Sequence, residues 1–436
     1  ARAPGDVSLR LAARRPPALI DGRVVETVDA QTRWLGYLPA VDRALVEDDA
    51  GWTLPLGSMA AGESLDTALI LATGESSADL AAIEATLTTS TPTDWLQSTL
   101  AWWQAFSARG VQIATDDPRV VDLYDGMRVG IKVQQSAAGA VCPMSQYTLV
   151  WLRDNIGPMR FLLRAGLWEE ARAALDYTFL CATVRGDYSN ACSSALGPED
   201  AVDEPDWASL GPFSGRQAAE GPSYVPLMYR EFARWTASLD RVGERWAYLR
   251  RGLTGQVMQP DGTQPFSGDE TFRIAMGAAL GYDLGTVWEE EAWSANSSFL
   301  MSATARWMAD VASAAGHPGD VGTFSDLADR ADSALRDRFR LPDGHHAPFI
   351  DRFTDAPEPR PFEDVNFKGL WTGALSPDDP SALADVAALK DSAGRGDGSF
   401  QTPLDPSYFE LLGLPVTDGV STGMVPGYAL WSLSTL

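Results

Sequence analysis

The sequence predicts a mainly α-helical protein: an α/α toroid, or six-hairpin barrel, preceded by a small β-rich segment. Three observations support this fold class. About eleven amphipathic segments follow one another from about residue 116 onward. The connectors between them alternate between tight turns and long stretches rich in Gly, Pro, Asp and Trp. Short apolar runs occupy the first 75 residues.

The N-terminal segment reads as β-strands. The runs "VSLRLAA", "WLGYLPAV", "GWTLPLG" and "LDTALILATG" are separated by Gly, Pro and Asp, and several alternate with period two. We expect residues 1–75 to be a β-rich segment, for which part of a β-sandwich is one candidate form. Residues 76–115 are predicted as a helical linker, and residues 116–436 as the toroid.

The helices follow from apolar residues spaced three or four apart. In the segment 118–135 these residues are Val120, Tyr124, Met127 and Ile131. The other predicted helices are 153–165, 168–184, 223–236, 240–256, 270–280, 296–315, 324–339, 364–374, 380–391 and 421–436. No sequence repeat is detectable, so the ring is inferred from helix number and loop rhythm. In such a ring the long connectors meet at one end, where functional residues concentrate.

Composition narrows the chemistry. A net charge of -25 argues against binding nucleic acid or anionic membranes, and no apolar run approaches the ~20 residues of a membrane-spanning helix. Only three His and three Cys are present, without CxxC spacing, so we expect no catalytic metal, no cofactor and no disulfide framework. Carboxylates remain as acid–base groups. The 15 Trp residues fill cores or stack on the apolar faces of sugar rings.

Carboxylates cluster in the predicted long connectors. Asp269 and Glu270 directly precede a predicted helix, and Glu220 precedes another that contains Tyr224. Helix dipoles favour acidic residues at such positions and explain these two clusters without invoking function. Glu289 belongs to a Glu triplet between Trp288 and Trp293, which a solvated charge run does not need. A carboxyl beside Trp in a cleft has a raised pKa, which suits a general acid.

The stretch "VWLRDNIG" allows two interpretations. Asp154 or Asn155 can cap the helix that follows, with Pro158 in its first turn. Alternatively, Trp151, Arg153 and Asp154 line a binding cleft. Because Asn155 is available as the cap, we expect Asp154 to face the cleft.

Three stretches resemble the α/α-toroid glycoside hydrolases, most closely glycoside hydrolase family 15, the glucoamylases, glucodextranases and bacterial trehalases. "VWLRDNIGPMRFLLRAGLWEEARAALDY" is similar to the family's W-x-RD segment. "VWEEEAWSANSSFLMSATARWMADVASAAG" is similar to its Trp-Glu acid motif, and "DVNFKGLWTGALSPDDPSALADVAALK" to a late helix pair. The resemblance covers most of residues 60–436.

The resemblance implies roles for particular residues. Arg153 and Asp154 would hold sugar hydroxyls at the cleaved bond, and Glu289 would be the general acid. Where the family has a Glu as base, "GLPVTDGVSTGMVPGYALW" offers only Asp418. An alternative alignment on "FSGDETFR" makes Glu270 the acid. An inverting reaction needs two carboxyl groups ~6.5–9.5 Å apart.

The expected function is therefore hydrolysis of α-linked glucosides or related oligosaccharides, with an oligosaccharide or glycoside as the partner molecule. One alternative is a polysaccharide lyase that uses Tyr147, Tyr188 or Tyr224. The other is a carbohydrate-binding toroid without activity. Basic residues are almost all Arg, which is typical of a high-GC bacterial gene. The sequence leaves open whether the protein is extracytoplasmic or cytoplasmic.

Overall fold

The chain forms two compact units in a computed structural model, Ala1–Ala108 and Arg109–Leu436. The structure describes residues 5–11, 18–20, 23–27, 34–39, 46–48, 51–64, 69–74, 81–83, 85–86, 89–143, 149–214, 219–265, 292–361, 363–393, 432 and 434.

The first unit contains two antiparallel sheets. One has the strand order β1-β6-β5 and the other β2-β3-β4-β7. The strands are β1 Gly5–Leu11, β2 Ala18–Ile20, β3 Arg23–Thr27, β4 Trp34–Pro39, β5 Val46–Asp48, β6 Gly51–Met59 and β7 Leu69–Gly74. The four apolar runs of the sequence coincide with β1, β4, β6 and β7, which confirms them as strands.

A helix of this unit, α1 (Pro92–Ser107), begins where its sequence signals a start. Thr91 is the N-cap, and its side chain accepts a hydrogen bond from the amide of Asp94. The Asp94 carboxylate accepts in return from the amide of Thr91, at 3.0 Å. Together with Pro92 in the first turn, this capping box satisfies amides that the helix itself leaves without acceptors.

The second unit is built from helices. They are α2 Pro118–Gln134, α3 Leu152–Arg164, α4 Trp168–Arg185, α5 Gly221–Thr236, α6 Asp240–Glu244, α7 Trp246–Thr254, α8 Ala295–Ala312, α9 Val321–Ala334, α10 Glu363–Asn366, α11 Lys368–Thr372 and α12 Pro380–Ala393. Two antiparallel strand pairs join its connectors: β8 Leu149–Trp151 with β9 Ala191–Ser193, and β10 Ala292–Ser294 with β11 Phe349–Asp351.

Four of these helices form an inner layer. In α5, residues 221–233 are buried without interruption, as are residues 295–305 in α8. A helix buried on all sides has neighbours all round it. Helix α3 packs on α5, α5 on α8, and α8 on α11, while α4, α7 and α9 lie against their inner partners as an outer layer.

The inner helices α5 and α11 run in the same direction. Tyr224, near the start of α5, bonds Lys368 at the start of α11. Further along, Arg230 bonds the carbonyl of Thr372 at the end of α11. The connectors that lead into α5 and, through α10, into α11 therefore reach the same end of these helices, and the short connectors that follow them lie at the opposite end.

The short turns share a backbone feature. Among the described residues, each connector from an inner to an outer helix contains a residue with positive φ: Gly166, Ala237, Gly316 and Gly373. Such a residue reverses the chain at the end of a helix. Ala237 is the exception in residue type, since a Cβ makes this conformation less favourable.

Three predicted helices differ in detail from the observed ones. The segment 240–256 is divided at Arg245 into α6 and α7, and the segment 364–374 at Phe367 into α10 and α11. The segment 324–339 ends as a π-helix, Leu335–Phe339, with Leu335 and Phe339 buried. Segment 270–280 lies outside the described residues, as does 421–436 except for two positions.

Within the part of the chain that the structure describes, no helix is long and apolar enough to cross a membrane.

Candidate functional site

The predicted site residues that the structure describes lie at the N-terminal ends of three inner helices. Trp151, Arg153 and Asp154 occupy the start of α3. Glu220 immediately precedes α5, and Tyr224 lies in its first turn. Trp293 is in β10, which leads into α8. Four predicted acid–base candidates and one Trp are outside the described residues: Asp269, Glu270, Trp288, Glu289 and Asp418.

Arg153 and Asp154 form a half-buried ion pair. The Arg153 Nε lies 3.6 Å from the Asp154 Oδ1, and each side chain is 19% exposed. This distance is a charge–charge contact and too long for a hydrogen bond. Both groups are therefore held close together, and each side chain is partly exposed.

The predicted cap of α3 is wrong. The helix begins at Leu152, so its N-cap is Trp151, which provides no side-chain hydrogen bond. Asn155 is the fourth residue of the helix and donates to the carbonyls of Trp151, at 2.8 Å, and Val141, at 3.3 Å. Capping therefore does not explain why Asp154 is at this position.

Pro158 is also placed differently from the prediction, inside the helix and not in its first turn. Proline has no N–H, so it cannot donate to the carbonyl of Asp154 four residues earlier. The helix therefore lacks the backbone hydrogen bond that would end at the carbonyl of the candidate site residue Asp154.

A disulfide bond joins Cys181 in α4 to Cys192 in β9, with their Cα atoms 5.9 Å apart. The sequence interpretation that disulfides are improbable is wrong for this pair. Strand β9 returns alongside β8, with Cys192 opposite Val150, and so brings the two cysteines together. Val150 is the residue that precedes Trp151 in β8.

Glu220 has a strained backbone. Its φ is 61° and its ψ is -75°, and the amide of Gly221 donates to the carbonyl of Ala219 at 2.7 Å. These values define a γ-turn with positive φ, which is rare and unfavourable for a residue with a side chain. Of the three described non-glycine residues with positive φ, Ala237 and Asp355 are exposed, whereas Glu220 is 4% exposed.

The carboxylate of Glu220 belongs to a buried polar cluster. The Tyr224 hydroxyl lies 3.4 Å from Glu220 Oε1, within reach as a donor, and itself accepts from Lys368 Nζ at 3.0 Å. The ammonium of Lys368 also lies 4.8 Å from the centre of the Trp371 ring. We refer to Glu220, Tyr224 and Lys368 as the Glu220 cluster.

Sequence reasoning missed Lys368. It is one of three lysines in the chain and only 1% exposed. A buried lysine needs partners because desolvating an ammonium is costly. Its rarity, together with the neighbouring apolar residues of "NFKGLW", was the available signal.

A second buried cluster lies further along the same helices. Glu231 Oε1 accepts from Arg160 at 3.1 Å and from Arg230 at 3.2 Å. Arg160 also donates to the carbonyl of Trp371, at 3.0 Å, and Arg230 to that of Thr372, at 2.6 Å. We refer to Arg160, Arg230 and Glu231 as the Glu231 cluster.

The charges of the Glu231 cluster respond to burial and to one another. Burial lowers the pKa of Arg160 to about 10, although Glu231 opposes this effect. Burial alone would raise the pKa of Glu231, but Arg160 and Arg230 outweigh it, so the pKa lies below its ordinary value. Glu231 is therefore ionised at neutral pH and balances part of the arginine charge.

No protein-family model matches the chain, and no curated protein matches it in sequence. Solved structures do match. A single-residue variant of a glycosidase aligns over 74% of this chain and 81% of its own, with a TM-score of 0.50 and 16% identity. A glycosidase variant in complex with glucose aligns with the same values. A bacterial glucoamylase complexed with acarbose aligns over 85% of this chain and 57% of its own, with a TM-score of 0.55 and 12% identity.

The chain has the α/α-toroid fold of these glycosidases. In the toroid, the ends of the inner helices that carry Asp154 and Glu220 are also the ends that the long connectors reach. The prediction of the fold class is confirmed, and so is the resemblance to α/α-toroid glycoside hydrolases.

Proposed function

We propose that this protein is a glycoside hydrolase that acts at the N-terminal ends of the inner helices. The observation that carries the proposal is the convergence of Trp151, Asp154, Glu220 and Trp293 on that end of the toroid. Carboxylates accept hydrogen bonds from sugar hydroxyls, and indole rings stack on the apolar faces of sugars. The glycosidase fold of the structural neighbours supports the same conclusion.

The substrate that suits these groups is a neutral α-linked glucoside or a related oligosaccharide. The candidate site contains several carboxylates, and the chain has a net charge of -25, so binding of a polyanionic ligand is not favoured. We propose Glu289 or Glu270 as the general acid and Asp418 as the base of an inverting reaction, with Asp269 beside the acid. Asp154 and Arg153 would hold the sugar next to the cleaved bond.

The test is hydrolysis of a panel of chromogenic α- and β-glycosides and of α-linked gluco-oligosaccharides. Each carboxylate candidate is replaced by its amide: Glu289→Gln, Glu270→Gln and Asp418→Asn. We expect turnover of an α-glucoside by the wild type, and a loss of at least ~100-fold in the variant that lacks the acid. Proton NMR of the first product anomer then distinguishes inversion from retention. Absence of turnover on the whole panel would contradict the proposal.

The lyase alternative loses one of its candidate bases. Tyr188 is buried and donates to the carbonyl of Tyr248 at 2.9 Å. Burial raises the pKa of Tyr188 well above its ordinary value, so it is a poor base at neutral pH. Tyr147 lies outside the described residues, and Tyr224 belongs to the Glu220 cluster. An absorbance assay for unsaturated products from uronate polymers tests a lyase that uses Tyr147 or Tyr224. Binding of a sugar without turnover would instead favour a carbohydrate-binding protein.

A further inference from the structure

The Glu220 cluster joins two helices that are far apart in the sequence. Lys368 begins α11, and Tyr224 lies one turn into α5, 144 residues earlier. The ammonium donates to the tyrosine oxygen, which leaves the hydroxyl proton available for the Glu220 carboxylate. The three groups are thus joined by two successive hydrogen bonds, from the ammonium to the tyrosine and from the tyrosine to the carboxylate.

The side chains of Tyr224 and Lys368 are enclosed by the protein. Tyr224 is fully buried and Lys368 nearly so. The Lys368 ammonium lies 4.8 Å from the Trp371 ring centre and 5.4 Å from that of Tyr224, distances at which aromatic faces attract a cation. A charge held this way in a water-poor environment acts more strongly on a nearby carboxylate than a surface charge does.

The backbone strain at Glu220 is a further feature of the Glu220 cluster. A helix start does not require a γ-turn with positive φ, and glycine would adopt it at lower cost. The chain instead keeps a glutamate there, 4% exposed and bonded to Tyr224. The strained turn places this carboxylate at the N-terminal end of α5.

We propose that Lys368 is a positioning residue that acts through Tyr224 to hold Glu220 ionised and correctly oriented as an acceptor for a substrate hydroxyl. The identity of that hydroxyl as a sugar hydroxyl rests on the proposed function. The effect on Glu220 itself does not, since it is a property of the free protein.

Other charged groups at this end must be considered for any pH dependence. On α3 these are Arg153 and Asp154, whereas α8 contributes the neutral Asn296. On the outer layer, Asp187 after α4 is bonded to Arg251 of α7 at 3.1 Å. Further charged or titratable groups on the same elements are Arg185 and Tyr188. Lys368 is linked to Glu220 through Tyr224.

The first experiment requires no substrate. Urea unfolding at pH 7 is measured for the wild type, Lys368→Met, Glu220→Gln and the double variant. We expect the two substitutions to be coupled: the unfolding constant of the double variant should differ at least tenfold from the value obtained by multiplying the effects of the single substitutions. If the effects simply multiply, the proposal is overturned. Should Lys368→Met fail to fold, Tyr224→Phe replaces it in the same cycle, because it removes the linking hydroxyl and keeps the ring.

The second experiment measures kcat/KM of the active enzyme as a function of pH. Lys368→Met should lower kcat/KM at least tenfold and move its acid limb upward by about one pH unit, because Glu220 becomes easier to protonate. Lys368→Arg should restore part of both effects. The shift should disappear in the Glu220→Gln background, and exposed Lys390→Met should behave as wild type.

The two experiments fail separately. A wild type that hydrolyses no glycoside overturns the proposed function, whereas the unfolding cycle still decides the role of Lys368. A Lys368→Met variant that loses stability without coupling to Glu220 and without a pH shift would show that Lys368 only supports packing.

Discussion

The Glu220 cluster and the Glu231 cluster both bury charge between α5 and its neighbours, but they differ in their backbone. Around Glu231 the helix is regular, and Arg160 and Arg230 also bond carbonyls at the end of α11. Around Glu220 the chain is strained, and the carboxylate lies at the end of the toroid that the long connectors reach. Buried charge is therefore common to both clusters and does not by itself single out Glu220. Local backbone strain and position are what distinguish Glu220 from Glu231.

The largest expected effect is on the Glu231 cluster. Glu231→Gln leaves two buried arginines without their counter-charge, and breaking a buried ion pair in this way costs about 3–5 kcal/mol of unfolding free energy. Urea unfolding measures it. The matched control is Glu169→Gln, whose side chain is 79% exposed and paired with Arg109, and which should cost less than about 1 kcal/mol. A small loss in Glu231→Gln would mean that the two clusters do not differ in structural role.

The same variant should change the response to acid. A carboxyl with a lowered folded-state pKa contributes stability above its ordinary pKa, and this stability is lost as the pH falls through the folded value. Glu231 is such a group. The wild type should therefore lose stability more steeply than Glu231→Gln below about pH 4.5. Parallel pH profiles would contradict the direction of the pKa shift.

The next effect concerns Asp154. Because this residue does not cap α3, Asp154→Asn should leave the melting temperature close to that of the wild type. If the carboxylate binds the transition state, kcat/KM should fall by about 100-fold, equivalent to about 2.7 kcal/mol. The control is Asp320→Asn in the short connector before α9, where Asp320 accepts from Trp246 at 2.8 Å. A variant that melts several degrees lower with normal turnover would show that Asp154 has a structural role, as we expect for the charges of the Glu231 cluster.

The disulfide provides a third comparison, because it joins α4 to β9, the strand that pairs with β8. Cys181→Ala combined with Cys192→Ala should cost about 2–3 kcal/mol, since the bridge closes a loop over a sequence separation of 11. Thermal and urea unfolding measure the loss. The exposed variant Lys390→Met serves as the reference. An unchanged unfolding free energy would show that β9 holds its place beside β8 without the bond.

The smallest effect tests the strain at Glu220. Glu220→Gly should be more stable than Glu220→Ala by about 1 kcal/mol, because glycine adopts positive φ without a Cβ penalty. Both variants lack the carboxylate, so the difference isolates the backbone. Ala237→Gly should show a similar gain in an exposed turn. Equal stability of the two Glu220 variants would show that backbone strain does not distinguish the Glu220 cluster from the Glu231 cluster.

The helical rhythm was predictable because it depends on local apolar spacing, as in α2 with its Val120 and Met127. The start of α3 was not predictable in the same way: the helix begins at Leu152, four residues before the start that Asn155 as N-cap would give. Lys368 and Tyr224 meet across 144 residues, and no local pattern indicates such a contact. The Cys181–Cys192 bond depends in the same way on where β9 returns.

The four positive-φ turns have a consequence for how such a protein can change. No repeat is visible in the sequence, yet the reversal at Gly166 recurs in backbone angle at Ala237, Gly316 and Gly373. An insertion there would separate an inner helix from its outer partner, whereas the opposite end already tolerates connectors of very different lengths. New specificities can therefore evolve, or be grafted by engineers, through the long connectors while the hairpin register is inherited unchanged.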